Sequence, residues 1–533
     1  MKKETSAEKE SGSTREEKTC VTESIVTKVE TFQFIDRFKV FLLLAFLIPI
    51  GLRAIPEILM GHFVVGFDPL GYYIPYTLTW LREGVSLWPF LGAAPFLYLL
   101  MIVITWIGVP IVFSLKVMSP LLLGFLSLAI FFYANKTLLW SSKKSLLAAL
   151  FATLYFVALR VSWDMLRSEL ALIFLFISMI LLEKKDNRPF LKGALLSIVM
   201  SLVVFAHQIV GAILIAIITI TLIRLYLGRQ TSKLRKIAIS SVPVVLLFSI
   251  IVIIDAMAPE YLAITAFSQN SSIPNALFSF TSSLDLLLNA VGFFAFCYLP
   301  LLPLLLFAYK SIKTSFQLKA WIFFIFAALF SIFASATIFF GIFPYRLILL
   351  LTYPFSFYAT EAFCGLKSNR QRFCMGLMLA TFSIGFMVMP FNSPFVYFAL
   401  FPTYVPNSML MNTVPKSDCQ DTVNALQWTS NNLPGNSRLI VHTAFYGWAS
   451  LTLDNSKIVH SGFDNVETVA HELSKNDSSH HYYLIWWINC SGWFGQPNLS
   501  SAFTSVYESG RIAILNFTIA SNTSLNNQET CLS

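Results

Sequence analysis

Apolar residues in this chain come in blocks of about 18–20, the length a helix needs to cross about 30 Å of hydrocarbon. Short polar stretches separate them. Blocks near 37–55, 119–136, 145–161, 167–182, 190–206, 208–226, 237–256, 285–308, 320–340, 346–363 and 373–390 read as spanning helices. A further stretch, 95–113, is apolar enough to span as well. Residues 1–36 mix charges, are poor in apolar side chains and read as a flexible cytoplasmic tail. Beyond 390 the pattern changes, because Pro, Asn, Ser, Gly and Asp return and no long apolar run remains.

Composition agrees with that pattern. Of 533 residues, 56% are hydrophobic and only 12% charged, where a soluble domain carries about a quarter charged. A string of ordinary soluble domains is excluded, and so is disorder as the main state. The formal charge of +9 is not a nucleic-acid signal here, since the cations sit in loops between apolar blocks and report topology. The seven cysteines follow no metal or redox spacing.

Charge also decides how many times the chain crosses. With a cytoplasmic N-terminus and 95–113 not crossing, five basic loops fall inside: Lys136–Lys144, Glu183–Arg188, Arg224–Lys236, Lys310–Lys319 and Lys367–Arg372. A full crossing by 95–113 would put all five outside, against the positive-inside bias. The expectation is therefore an α-helical polytopic membrane protein with about eleven transmembrane helices. Residues 95–113 lie in the interface or re-enter the membrane, and the C-terminal region is extracytoplasmic. The domains follow as a tail 1–36, a membrane domain 37–390 with an external loop 56–94, a linker 391–415 and an α/β domain 416–533.

In that last domain, Ser417 or Asp418 can cap a helix running to Asn432. Strands are predicted at 438–443, 457–461, 482–488 and 511–517, with a helix over 464–475 capped by Asp464. Alternation of helix and strand favours a partly parallel sheet. Sequons at Asn476, Asn489, Asn498, Asn516 and Asn522 fit an external location or chance in an Asn/Ser-rich segment. His442, His460, His471, His480 and His481 show no metal-binding spacing and read as core or surface histidines.

Three stretches could carry chemistry. The first, GHFVVGFDPLGYYIPYTLTWLREG (61–84), follows the first helix. Asp68-Pro69 reads as a helix start, with Asp68 either a capping carboxylate or a reactive one. Pro75 should kink or divide that helix, while Tyr72, Tyr76 and Trp80 recur on one side. The second holds Arg160, Asp164, Arg167 and Glu169. Spacings of four and three place Arg160, Asp164 and Arg167 on one helix face, as an ion-paired anchor or as the lining of a charged cavity. The third is Arg346 at the start of a late spanning helix, either snorkelling to headgroups or holding a lipid phosphate. His207, at a junction of two helices, is a weaker candidate. The sequence carries no phosphate-binding glycine loop, no nucleophile elbow and no metal-binding cluster.

Together these stretches resemble the GT-C superfamily of polytopic glycosyltransferases, whose members move sugars carried on polyprenyl phosphate or diphosphate. Asp68 in FDPLGYY matches the acidic residue of the family's first external loop and looks like the Asp-Pro-aromatic loop of archaeal members. Arg346 in FPYRLILLLTYP is similar to the late basic residue that binds the carrier phosphate, and Asp164 and Glu169 resemble a second acidic region. The WWDYG motif of oligosaccharyltransferase subunits is missing, since YGWAS (446–450) and IWWINC (485–490) lack its Asp. The resemblance therefore implies transfer of a monosaccharide at the outer face. Asp68 would be the base, Arg346 the phosphate clamp, Tyr72 and Tyr73 would shape the sugar site, and Arg160, Asp164, Arg167 and Glu169 would line the cavity. It implies membrane lipids and a polyprenyl-phosphate-linked sugar donor as partners, with a glycan, lipid or protein acceptor and no nucleic acid. No protein ligand set for a metal is implied, and a divalent ion is left open because members differ in using one. The competing class is a transporter or lipid flippase, against which stand the lack of an internal repeat and the clustering of ionisable residues at helix ends.

Overall fold

The computed structural model describes residues 37–183, 189–257, 283–308, 315–334, 344–387, 412–462, 465–477, 479–488 and 499–518. The expected tail, most of the linker, Asp464 and the sequons at Asn489, Asn498 and Asn522 lie outside these residues.

The first part of the chain is helical. Helix α1 covers Arg37–Leu59. After a π-helical turn at Pro69–Tyr73 come α2 (Ile74–Glu83), α3 (Leu87–Gly92), α4 (Phe96–Trp106), α5 (Ile111–Lys136), α6 (Ser142–Leu154), α7 (Phe156–Asp164) and α8 (Leu166–Glu183). Then follow α9 (Pro189–Ala206), α10 (Gln208–Leu227), α11 (Thr231–Met257), α12 (Ser283–Tyr298), α13 (Leu302–Ala308) and α14 (Phe316–Ala334). The bundle closes with α15 (Pro344–Leu350), α16 (Thr352–Gly365) and α17 (Asn369–Met387).

Among the described residues five helical spans are long and apolar enough to cross a membrane, or six with the bent pair α6–α7 taken as one. The protein is a multi-pass membrane protein. Others of the expected crossings fall on shorter apolar helices, Leu191–Ala206 and Phe316–Ser331, and on helices adjoining residues outside those described. The stretch 95–113 is interrupted at Gly108, which has a positive φ, and at Pro110. Its helical part, α4, has 11 residues and spans about 16 Å, half the hydrocarbon thickness.

Helix α5 lies at the centre of the bundle. Of its most apolar window 72% is buried inside the protein, against 17% for α1. Small residues let neighbours approach, as at Gly124, where a Cβ would sit 2.6 Å from the Ile50 side chain. Hydroxyls within the helices are satisfied locally: Ser119, Thr153, Ser356 and Thr360 each donate to the carbonyl four residues back.

Three expected single helices are divided, one of them, 346–363, by a single turn residue, Leu351, between α15 and α16. The 145–161 block bends by 59° between α6 and α7, because Tyr155 adopts an extended backbone and interrupts the ladder. The 285–308 block is split into α12 and α13 by turn residues around Pro300.

The C-terminal domain contains α18 (Cys419–Asn432), β1 (Ser437–His442), α19 (Thr443–Thr452), β2 (Ile458–Gly462), α20 (Val466–Asn476), β3 (His481–Trp487), β4 (Phe503–Ser509) and β5 (Ile512–Phe517). The sheet order is β2-β1-β3-β5-β4. The β1 strand pairs in parallel with β2 and β3, and the remaining pairs are antiparallel. Helix α20 is capped by Asn465, whose side chain accepts from the amides of Glu467 and Thr468. Asp418 precedes α18 without a side-chain capping bond and instead accepts from the Trp487 indole at 3.0 Å. His442 caps α19 through Nδ1, accepting from the Ala444 amide at 3.1 Å. Burial pushes this imidazole down to about 3, so it works there as the neutral form.

Helix α19 docks the domain onto the bundle. It packs on the π-helical turn and on α2, and a Cβ at Gly447 would lie 1.8 Å from the Leu70 carbonyl oxygen. Only glycine allows that approach. Asn455 bonds Thr79 at 3.1 Å and Glu83 at 2.7 Å, Asn412 donates to the Val64 carbonyl at 2.9 Å, and Lys416 to that of Leu59 at 2.6 Å.

Candidate functional site

The loop after α1 runs beneath this domain. Gly66 has φ +111°, and a Cβ there would meet the Trp163 carbonyl oxygen at 2.2 Å, so the chain passes directly over the end of α7. Asp68 comes two residues later. Of the two sequence readings, a capping or a reactive carboxylate, the α-helical N-cap is not formed: the turn that follows is a π-helix in which the Ile74 amide reaches back to Pro69, and Asp68 makes no capping bond. The reason is Pro75. It has no N–H for the ladder, so the turn before it widens. The Asp68 carboxylate is thereby left for other work.

It faces Arg346, 3.7 Å away at the start of α15. Both side chains keep some exposure, 16% for Asp68 and 22% for Arg346. Arg160 and Arg167 also act on Asp68 electrostatically. Burial nevertheless outweighs the three guanidiniums and raises the Asp68 carboxyl above the usual aspartate range. Burial and the Asp68 charge raise the Tyr72 and Tyr73 phenols too, keeping both as neutral hydroxyls. The Arg346 side chain also bonds Tyr345.

Asp164 sits behind this pair at the end of α7. It forms an ion pair with Arg160, both 3% exposed. Its carboxylate accepts the amides of Phe67 and Asp68, and its backbone carbonyl accepts the Tyr73 hydroxyl at 2.7 Å. Asp164 thus ties down the loop on both sides of Asp68. Two Arg160 donors, Nε and Nη1, are buried with no hydrogen-bond partner.

The expected i,i+3 relation between Asp164 and Arg167 does not form. Met165, with φ −92° and ψ +49°, ends α7, and Arg167 belongs to the next helix. Arg167 donates instead to the Ala93 carbonyl and to Gln208 Oε1 at 3.2 Å, and lies 5.6 Å from the Tyr98 ring. Gln208 in turn donates to the Gly92 carbonyl. These two side chains secure the far end of the external loop. Glu169 stands apart. It is completely buried, both oxygens lack hydrogen-bond partners, and its charged neighbour is Arg53, which pairs with Glu57 at 2.9 Å. His207 caps α10 through Nδ1.

The structure therefore brings Asp68, Tyr72, Tyr73, Arg160, Asp164, Arg167 and Arg346 into one cluster and leaves Glu169 in another. Sequence reasoning missed Tyr98, Gln208 and Tyr345. Tyr345 adjoins Arg346, so its neighbour was a signal, whereas Tyr98 and Gln208 are joined to the site only by the fold. Among the described residues no group of three or more His, Cys, Asp and Glu side chains is arranged to hold a metal ion. Asp68 and Asp164 both face guanidiniums instead.

Two solved structures similar to this chain are those of ArnT from Cupriavidus metallidurans, one bound to undecaprenyl phosphate and one in the apo state. They are 12% and 11% identical to it, with TM-scores of 0.48 and 0.49. The alignments cover 91% and 92% of this chain and 98% of each of those chains. The likeness assigns neither an activity nor a residue role to this protein. No family model matches the chain, and no curated protein matches it.

Proposed function

We propose that the protein is a membrane glycosyltransferase of GT-C type, close to the archaeal members, moving a sugar from a polyprenyl-phosphate carrier to an acceptor at the outer face. The observation that carries this reading is the meeting of Asp68 and Arg346. Residues from opposite parts of the sequence come within 3.7 Å while both stay partly accessible. A carboxylate base and a phosphate-binding guanidinium must flank one reacting sugar, and these two can do so.

The chemistry follows from the groups. The acceptor hydroxyl gives its proton to the Asp68 carboxylate as its oxygen bonds the anomeric carbon. The bond from that carbon to the phosphate oxygen breaks, and the carrier phosphate departs with the electron pair. General base catalysis of this kind contributes about 10²–10⁴-fold. Arg346 stabilises the leaving phosphate, where one well-aimed donor is worth about 3 kcal/mol. Before the lipid arrives Arg346 holds Asp68. A phosphate binding to its planar fork draws it away and leaves the carboxylate free to take a proton. The buried Arg160 donors that have no protein partner, Nε and Nη1, add two nitrogen donors for an anionic ligand. Tyr72 and Tyr73, as hydroxyls, serve the sugar. Each step is supplied by side chains of the cluster, and none is assigned to a metal.

The test is Asp68→Asn, assayed for transfer from a radiolabelled polyprenyl-phosphate sugar in membranes. Loss of about a hundredfold or more in kcat, with unchanged protein level, is expected. Unchanged transfer refutes the assignment of the base. Solute uptake or lipid flipping by reconstituted wild-type protein that shows no transfer would favour the transporter class.

A further inference from the structure

The other end of the bundle carries a second polar feature, unrelated to the Asp68 cluster. Helix α8 begins at the cluster and ends at Glu183 after 18 residues, about 27 Å of helix. Helix α10 begins beside His207 and runs 20 residues to Leu227. Where these helices end, a cavity of 820 Å³ opens between α8, α9 and the α10–α11 connection. Helices α9 and α11 approach closely at Gly193 and Ser240, where a Cβ on the glycine would lie 3.2 Å from the serine hydroxyl.

The lining is amphiphilic. Lys192, Arg229, Lys233 and Lys236 contribute four cations, and among the described lining residues one carboxylate, Glu183, opposes them, 3.7 Å from Lys233. Hydroxyls of Thr231 and Ser240 and the first amides of α11 add donors at a helix N-terminus, where anions are favoured. Leu182, Leu196 and Ile237 also line the cavity, and all three are buried. The cations stand where the apolar parts of α9 and α11 begin, which is headgroup depth for a bundle of this length.

The geometry points to a binding site for the phosphate headgroup of an anionic lipid, at the end of the bundle opposite the Asp68 cluster. Concave basic sites between membrane helices suit such headgroups. Free phosphate would use the cations but has no use for the apolar wall, whereas a lipid uses both. The glycosyltransferase reading is not needed for this site.

The experiment uses the full chain in detergent micelles, titrated with fluorescent phosphatidic acid. Saturable binding is expected. The triple variant Lys192→Gln, Lys233→Gln, Lys236→Gln should weaken it at least about tenfold, while Glu183→Gln should tighten it about two- to threefold. Lys136→Gln with Lys143→Gln removes two cations from outside the cavity lining and should leave binding unchanged. Phosphatidylcholine should bind in neither protein. Equal binding by the triple variant and the wild type overturns the proposal, and so does equal weakening by the control pair. Displacement of the probe by millimolar inorganic phosphate would overturn the lipid as the source of the phosphate. The Glu183→Gln gain cannot come from misfolding, so it tests the site even if the triple variant folds poorly.

Discussion

Asp68 with Arg346 and Asp164 with Arg160 are built from the same two chemical groups, within one cluster, yet water meets them differently. The first pair keeps 16% and 22% exposure and stands 3.7 Å apart. The second is closed to 3% on both sides and is tied further to two backbone amides. A buried pair is held by its neighbours and cannot exchange partners without leaving a charge stranded. A half-open pair can give up one partner when a stronger anion arrives. On the proposed reading this difference gives chemistry to Asp68 and architecture to Asp164, though a sequence motif marks both simply as acidic.

The largest separation should come from matched amide substitutions. Asp68→Asn should cost about a hundredfold or more in kcat without loss of folded protein. Asp164→Asn should cost about 3–5 kcal/mol of stability by stranding the Arg160 charge, seen as a lower midpoint in thermal unfolding. Replacing both members, Arg160→Met with Asp164→Leu, should restore much of that stability but not the activity, because the amides of Phe67 and Asp68 lose their acceptor. If the double variant transfers sugar as well as the wild type, Asp164 does not position the loop.

A smaller effect should come from the shape of the cation. Arg346→Lys keeps the charge and loses the planar fork that meets phosphate through two parallel bonds. About a tenfold fall in kcat/KM is expected, measured with the polyprenyl-phosphate donor. Arg160→Lys at the closed pair should instead lower thermal stability, since the ammonium is shorter and more strongly hydrated. Equal kinetic losses in the two lysine variants would erase the distinction between the pairs. Gly447→Ala probes the cover over both. Its methyl would collide with the Leu70 carbonyl, and the resulting shift of α19 should destabilise by about 1–3 kcal/mol.

Much of this was legible before the fold was known, for identifiable reasons. Asp68 and Arg346 were legible because a Pro, aromatic residues and an abrupt boundary between polar and apolar chain mark their positions. Block lengths gave a membrane bundle, and the return of polar residues with alternating helix and strand signals gave an α/β region after it. Arg167 was misread because a spacing argument assumes one continuous helix, and the backbone at Met165 breaks it. The π-helical turn was illegible because its width depends on the ladder around Pro75 and not on periodicity. Helix α19 escaped notice because ten residues with a central glycine carry too little pattern. Strand β4 escaped because its side chains are mostly polar and it lies at the sheet edge. Gln208 and Tyr98 join the site through contacts no local pattern encodes.

The smallest effect concerns stability and pH at the open pair. Burial raises the Asp68 carboxyl above its ordinary value near 3.9. Between that ordinary value and the raised one, the folded protein holds a proton that the unfolded chain has released. Unfolding then becomes easier as pH rises through the raised value, and the penalty is fully present above it. Acidification from neutral pH should therefore relieve a cost at this residue, until the ordinary aspartate range is reached. Asp68→Asn removes the ionising group while keeping its shape, so the variant should unfold about 1–2 °C higher than the wild type at neutral pH. The difference should shrink as the pH falls. The stabilised variant would be the inactive one, as expected when a carboxylate is kept at a cost in stability for the sake of its reaction. An Asp68→Asn protein less stable than the wild type at every pH would make the open pair a strut like the closed one.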